Sequence, residues 1–128
     1  VGLAPEVPGA WNNLGTAYYD LGRFADAAWA YTRATELDAK LSHLYYNLGV
    51  THAHLGDYTA AAVALERFVQ RHPDSAPGHL QLGDAYARIG RRQRARQALE
   101  RYLALADEED PLRPRTLRYL RQIETQSP

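Results

Sequence analysis

Apolar residues return along this chain at helical spacing, in pairs of segments broken at regular intervals. Positions 11, 14, 18 and 21 are apolar within Ala10–Leu21, and Phe24, Ala27, Ala28, Tyr31, Ala34 and Leu37 follow on one face of Phe24–Leu37. Both have the three-and-four period of a helix with one buried side. The plan then repeats as Ser42–Leu55 with Tyr58–Arg71, and as Ser75–Ile89 with Arg92–Ala106. Gly22, Gly56 and Gly90 separate the members of each pair, where a left-handed residue commonly ends a helix. Pro73 closes the fourth helix and biases His72 out of helical geometry. Ser42 is expected to cap the third helix, and the acidic run Asp107–Asp110 suits the start of a seventh. Pro111 and Pro114 delay that helix to about Arg115–Thr125. Its predicted buried face is Leu117, Leu120 and Ile123, with Arg113, Arg115, Arg118 and Arg121 in water. No segment shows the alternation of a strand.

The pairs are copies of one another. Trp11-Asn-Asn-Leu14-Gly15-Thr-Ala-Tyr18 returns 34 residues later as Tyr45-Tyr-Asn-Leu48-Gly49-Val-Thr-His52, and again as His79-Leu-Gln-Leu82-Gly83-Asp-Ala-Tyr86. A glycine inside a helix costs about 1 kcal/mol against alanine, so three at equivalent places need a compensating role. Ala27, Ala61 and Ala95 each follow a glycine by twelve residues, which predicts a close approach of glycine to alanine across each hairpin. The residues Trp11, Leu14, Gly15, Tyr18, Ala27, Tyr31 and Ala34 form the first set. Tyr45, Leu48, Gly49, His52, Ala61, Leu65, Phe68 and Pro73 form the second, and His79, Leu82, Gly83, Tyr86, Ala95, Leu99 and Tyr102 the third. This pattern resembles the tetratricopeptide repeat. It departs in lacking a closing proline in repeats one and three, in His52 for tyrosine, and in bulky Phe68 and Tyr102.

The resemblance implies an all-α, right-handed superhelix of three helical hairpins with a C-terminal capping helix. One domain is expected, with repeats at 8–41, 42–75 and 76–109 and the cap at 110–128. Residues 1–7 read as a lead-in or the tail of a preceding repeat, because Pro5 stands at the phase of Ala39 and Pro73. The start at Val1 and the absence of methionine point the same way, to a segment of a longer or processed chain.

In this family the first helix of each hairpin lines a concave face, at repeat positions 2, 5, 9, 12 and 13. Carried onto this chain, those positions give Asn12, Thr16, Tyr19 and Asp20, then His43, Tyr46, Val50 and His54, then Leu80, Asp84, Ala87 and Arg88. The resemblance therefore implies a non-catalytic scaffold that holds a peptide, helix or loop of another protein. Tyr19 and Tyr46 are the expected anchors, since tyrosine gives a large, stiff, amphipathic contact. The alternative is a structural or targeting segment of a larger enzyme or assembly, associating through its terminal faces. Family members that hold the acidic tails of chaperones use a clamp of two lysines, an arginine and two asparagines. Here Asn12, Thr16, Asn47, Pro77 and Gln81 stand at those places, and only Asn47 fits.

Composition narrows the rest. The 128 residues carry no cysteine and no net charge, which excludes disulfides and thiolate metal sites. His52 and His54 are two apart and diverge on a helix, so the histidines read as surface or packing residues and no metal or cofactor is expected. No glycine-rich phosphate loop or Ser/His/Asp set appears, so no enzyme activity is expected. Residues 1–85 hold 5 basic and 9 acidic side chains, and residues 86–128 hold 10 and 6. The arginines of the third repeat lack interleaved aromatics in a neutral domain, which argues against nucleic acid. No run reaches the roughly 20 apolar residues of a membrane span. The compartment stays open between cytoplasm and periplasm.

Overall fold

The computed structural model describes the backbone of residues 7–126 and the side chains of residues 7–124. Seven helices follow one another: α1 Pro8–Asp20, α2 Phe24–Leu37, α3 His43–His54, α4 Tyr58–Arg71, α5 Ala76–Arg88, α6 Arg92–Leu105 and α7 Arg113–Gln126. Among the described residues there is no strand. The expected tail of a preceding repeat at Val1–Ala4, and Pro5 with it, lies outside the described residues.

Local chemistry sets the ends. Gly22, Gly56 and Gly90 adopt φ of 75°, 79° and 80°, and the amides of Arg23, Asp57 and Arg91 reach back to the carbonyls of Tyr18, His52 and Tyr86 at 2.9 Å. That is a left-handed glycine closing each first helix and turning the chain into the second. Asp57 caps α4 by accepting from the Ala60 amide at 3.1 Å, and Ser75 caps α5 through the Gly78 amide at 3.1 Å. Ser42 does not cap α3. Its backbone is already helical, whereas a cap residue needs extended geometry, and its hydroxyl lies 2.6 Å from His72 Nε2 instead. Pro114 does not delay α7 either. It sits in the first turn, where a missing N–H costs nothing.

Within each hairpin the glycines meet a residue different from the expected alanine. A Cβ on Gly15 would fall 2.7 Å from the Tyr31 ring, on Gly49 2.6 Å from Leu65 Cγ, and on Gly83 2.5 Å from Leu99 Cδ2. Tyr31, Leu65 and Leu99 lie one turn beyond Ala27, Ala61 and Ala95, on the same helix face. Glycine thus makes room for a large side chain, while the alanines are buried beside it. Phe68, bulky where the repeat usually has alanine, finds its room at Gly78, whose Cβ would sit 2.8 Å from the ring. Tyr102 is wholly buried between Leu80 and Leu99. Burial pushes its hydroxyl up to about 12, and the Asp110 carboxylate acts in the same direction.

Hairpins stack in sequence, α2 on α3, α4 on α5 and α6 on α7. Three buried clusters therefore follow one another along the stack, the first with Trp11, Tyr31 and Leu44, the second with Leu65, Leu82 and Tyr86, the third with Leu99 and Tyr102. At its far end α7 buries Thr116 and Ile123 and half-buries Tyr119 and Leu120. Leu117, expected on that face, is 43% exposed. The 116, 119, 120, 123 spacing is the better helical stripe, and the threonine hydroxyl is satisfied by the Leu112 carbonyl at 2.9 Å. Arg113, expected in water, donates to the Leu103 and Ala106 carbonyls at 2.7 and 3.4 Å and so closes the end of α6. Among the described residues the near end has no such cover. Leu44, Leu48 and Thr51 of α3 are buried by the hairpin before them, while their counterparts Ala10 and Ala17 are exposed, and Leu14 is half-buried.

Candidate protein-binding groove

The first helices of the hairpins, α1, α3 and α5, supply the candidate positions, one set per 34-residue step. Asn47 of α3 donates through Nδ2 to Asn12 Oδ1 of α1 at 3.3 Å, so two adjacent repeats are joined by an amide pair. Beside it Thr16 shares a 3.0 Å hydrogen bond with the Tyr31 hydroxyl, and Val50 is half-buried. His43 and Asp20 are exposed at the two ends of the row.

Tyr19 and His54 come together. The tyrosine hydroxyl lies 2.9 Å from His54 Nε2, and the histidine ring stacks on Phe24 at 4.5 Å with an interplanar angle of 5°. One repeat later Arg88 takes the place of His54 and Tyr58 that of Phe24, and the guanidinium sits over the ring at 5.4 Å. A cationic or imidazole side chain covering the corner aromatic of the previous hairpin is thus a periodic packing device. Tyr46 is half-buried against Phe68, 5.1 Å between ring centres, and Phe68 in turn stacks on His72. Burial raises the Tyr46 hydroxyl above its ordinary value, and the nearby Tyr19 adds to the effect. Both expected anchors are therefore held by neighbouring rings and only half-buried.

Leu80 does not line the surface. It is 5% exposed, packed with Leu99 and Tyr102 in the core. Asp84 and Arg88 lie beside α7. Together with Ala87, Arg115 and Tyr119 they border a cavity of about 300 Å³. Arg115 donates to the Asp84 carboxylate at 3.1 Å. Arg115, Asn47 and the two phenylalanines were not among the candidates. Asn47 and Arg115 share one 34-residue register with Asn13 and Gln81, and that register is the signal by which the sequence marks them.

Burial raises the Asp84 carboxyl above 3.8, with Arg115 and then Arg88 pulling the other way. The folded state therefore keeps this proton to higher pH than the unfolded chain does. Its contribution to stability falls as pH rises from 3.8 through the raised value. Asp84→Asn is expected to gain stability relative to the parent over that range and to lose nothing at neutral pH, since an exposed pair with Arg115 is worth little. Urea midpoints measured in parallel across the acid range check this. A variant that falls behind the parent as pH rises contradicts it.

Among the described residues no group of three His, Asp or Glu side chains is placed to hold a metal. No described helix is long and apolar enough to cross a membrane.

Two family models, both of the tetratricopeptide repeat, match the chain, one at residues 2–42 and 12–76 and the other at residues 52–113. No curated protein sequence matches. Solved structures of similar fold include the first TPR of Spaghetti (RPAP3) bound to the HSP90 peptide SRMEEVD. It is 19% identical, with a TM-score of 0.79 over 93% of this chain and 91% of that one. The Arabidopsis OM64 TPR domain is 19% identical, with a TM-score of 0.81 over 91% and 96%. MamA, residues 41 to the end, from Desulfovibrio magneticus RS-1 is 20% identical, with a TM-score of 0.83 over 95% and 67%. At such identities the likeness is one of fold.

Proposed function

The chain belongs to the tetratricopeptide repeat family, and from that premise we propose that its concave face holds an extended or helical segment of a partner protein without chemistry of its own. The observation that carries this reading is the Asn12–Asn47 pair. Their mutual bond uses one donor and one acceptor, and it leaves Asn12 Nδ2 and Asn47 Oδ1 outside it. Amides held in this way present a donor and an acceptor to a peptide backbone, with Tyr46 and Val50 alongside for apolar contact. Because Tyr19, Tyr46 and His54 are already fixed by ring contacts, the groove has little side-chain freedom to lose on binding.

The Spaghetti domain holds an acidic chaperone peptide. This groove is a poor match for a doubly charged tail, because Asn12, Thr16, Asn47, Pro77 and Gln81 supply no cation. A neutral, amide-reading contact is the form the side chains support.

One observation favours a second reading. Leu21, just past the end of α1 and in phase with Ala10, Leu14 and Ala17, is 72% exposed among the described residues, so a terminal-face contact there would bury apolar surface. A photo-crosslinking amino acid placed at His43 and Val50, and separately at Leu21, distinguishes the two in the native host. Neither His43 nor Val50 anchors the fold. Crosslinks to one partner segment from both groove positions are the expected result. Crosslinks from Leu21 alone would overturn the groove in favour of the terminal face.

A further inference from the structure

The face opposite the groove carries a periodic pattern of its own. On the second helix of each hairpin Trp29 and Val63 recur at a 34-residue step, and one turn further on Arg33, Arg67 and Arg101 do the same. Residues four apart share a helix face. An apolar pair on α2 and α4, followed by Gln97 at the same place on α6, therefore runs beside a row of guanidiniums that spans α2, α4 and α6. Trp29 and Val63 are 51% and 61% exposed, and all three arginines are exposed.

Between α4 and α6 this face deepens into a groove. Both helices pack on α5, and its Leu82 and Tyr86 help to line the space between them. Two compartments of about 710 and 450 Å³ share Glu66, Tyr86 and Arg94. The Tyr86 hydroxyl donates to Glu66 at 2.7 Å, and Arg94 lies over the Tyr86 ring at 5.8 Å. Four arginines line the groove, Arg67, Arg91, Arg94 and Arg101. Against them stand Glu66 and, 3.6 Å from Arg101, Asp74. Arg67 and Arg94 are held by the rings and hydroxyls of Tyr45 and Tyr86, which fix their direction without cancelling their charge. Stacking does not demand this arrangement. At the junction one repeat earlier, Thr32, His52 and Ala60 stand in place of Glu66, Tyr86 and Arg94.

We propose that this convex groove docks an acidic segment of a partner protein, with carboxylates on Arg67, Arg94 and Arg101 and apolar side chains against Val63, Ala62 and Ala98. Surplus positive charge over an apolar floor selects for that combination. Guanidinium–carboxylate bonds give it direction. The site is separate from the concave groove, and the two stand or fall independently.

The test is fluorescence anisotropy of a fluorescein-labelled peptide of alternating aspartate and leucine, titrated with the whole chain at low salt. A lysine–leucine peptide of equal length serves as control. Saturable binding of the acidic peptide alone is expected, weakening as salt rises. Arg67→Gln/Arg101→Gln is expected to weaken it about tenfold or more, as the loss of charge-assisted bonds requires. Val63→Asp, at an exposed position that the fold does not use, is expected to do likewise. Tyr46→Ala/Asn47→Ala is expected to leave it unchanged. Equal binding of both peptides, or loss only in the concave variant, overturns the proposal. So does light scattering that shows self-association abolished by Asp107→Asn/Glu108→Gln/Glu109→Gln, which would assign the groove to the acidic loop of a second copy.

Discussion

A single methyl group at Gly83 is expected to destabilise the chain by about 2–3 kcal/mol, the range of overpacked cores. The ideal Cβ would lie 2.5 Å from Leu99 Cδ2 and 2.6 Å from Leu99 Cγ, closer than real carbons come. Those atoms are near the root of a fully buried side chain, so Leu99 cannot swing away without moving α6. Higher helix propensity of alanine returns about 1 kcal/mol, and the clash outweighs it. The expected readout is a melting temperature lower by about 10 °C for a domain of this size. Truncating the neighbour gives the internal control. Gly83→Ala and Leu99→Ala made together should cost less than the sum of the two singly, because the new methyl enters the space the leucine vacates. Strict additivity would show that the two residues do not share that space.

Leu44→Ala is expected to have the second large effect, about 3 kcal/mol for a fully buried leucine. Leu44 is 0% exposed in the core where the first hairpin meets the second. In a stack whose units touch only their neighbours, stability is a sum of unit and interface contributions. The loss should therefore be local. Hydrogen exchange should show α1 and α2 losing protection well before α5 and α6, as a separately opening unit. A uniform rise in exchange along the whole chain would contradict a junction-by-junction fold.

The six helices of the hairpins, their order and their glycine stops were open to a reader of the sequence because each rests on local chemistry repeated three times. Gly22, Gly56 and Gly90 announce three turns by one conformational need. What escaped depends on how one helix is rotated against another. Ala27 and Tyr31 share a face of α2, so spacing alone could not decide which of them meets Gly15. Weighing apolarity above phase put Leu117 on the inner face of α7, where Thr116 belongs once its hydroxyl bonds to its own backbone. Leu80 looked accessible by repeat position, yet it is packed with Leu99 and Tyr102. The Arg115–Asp84 contact was hidden for a related reason, since the two residues lie 31 positions apart on helices whose crossing no local pattern fixes. Of the candidate groove, the sequence offered positions by repeat register, and the neighbours that hold Tyr19 and Tyr46 were not legible in it. Tyr19 and Tyr46 are ordinary tyrosines on paper. His54, Phe24 and Phe68 make them rigid ones in space.

The order of contacts along the stack also sets its mechanics. Each junction transmits load only to the next, so a pull along the axis is carried by springs in series. The compliance of such a chain is the sum of its parts, and the softest joint contributes most. That joint is where α7 meets α6, the most lightly packed of the successive helix pairs. Tension applied at the C-terminus would peel α7 first. Asp84 would then lose Arg115, and Leu99 and Tyr102 their cover, while the Asn12–Asn47 pair two hairpins away stayed in register.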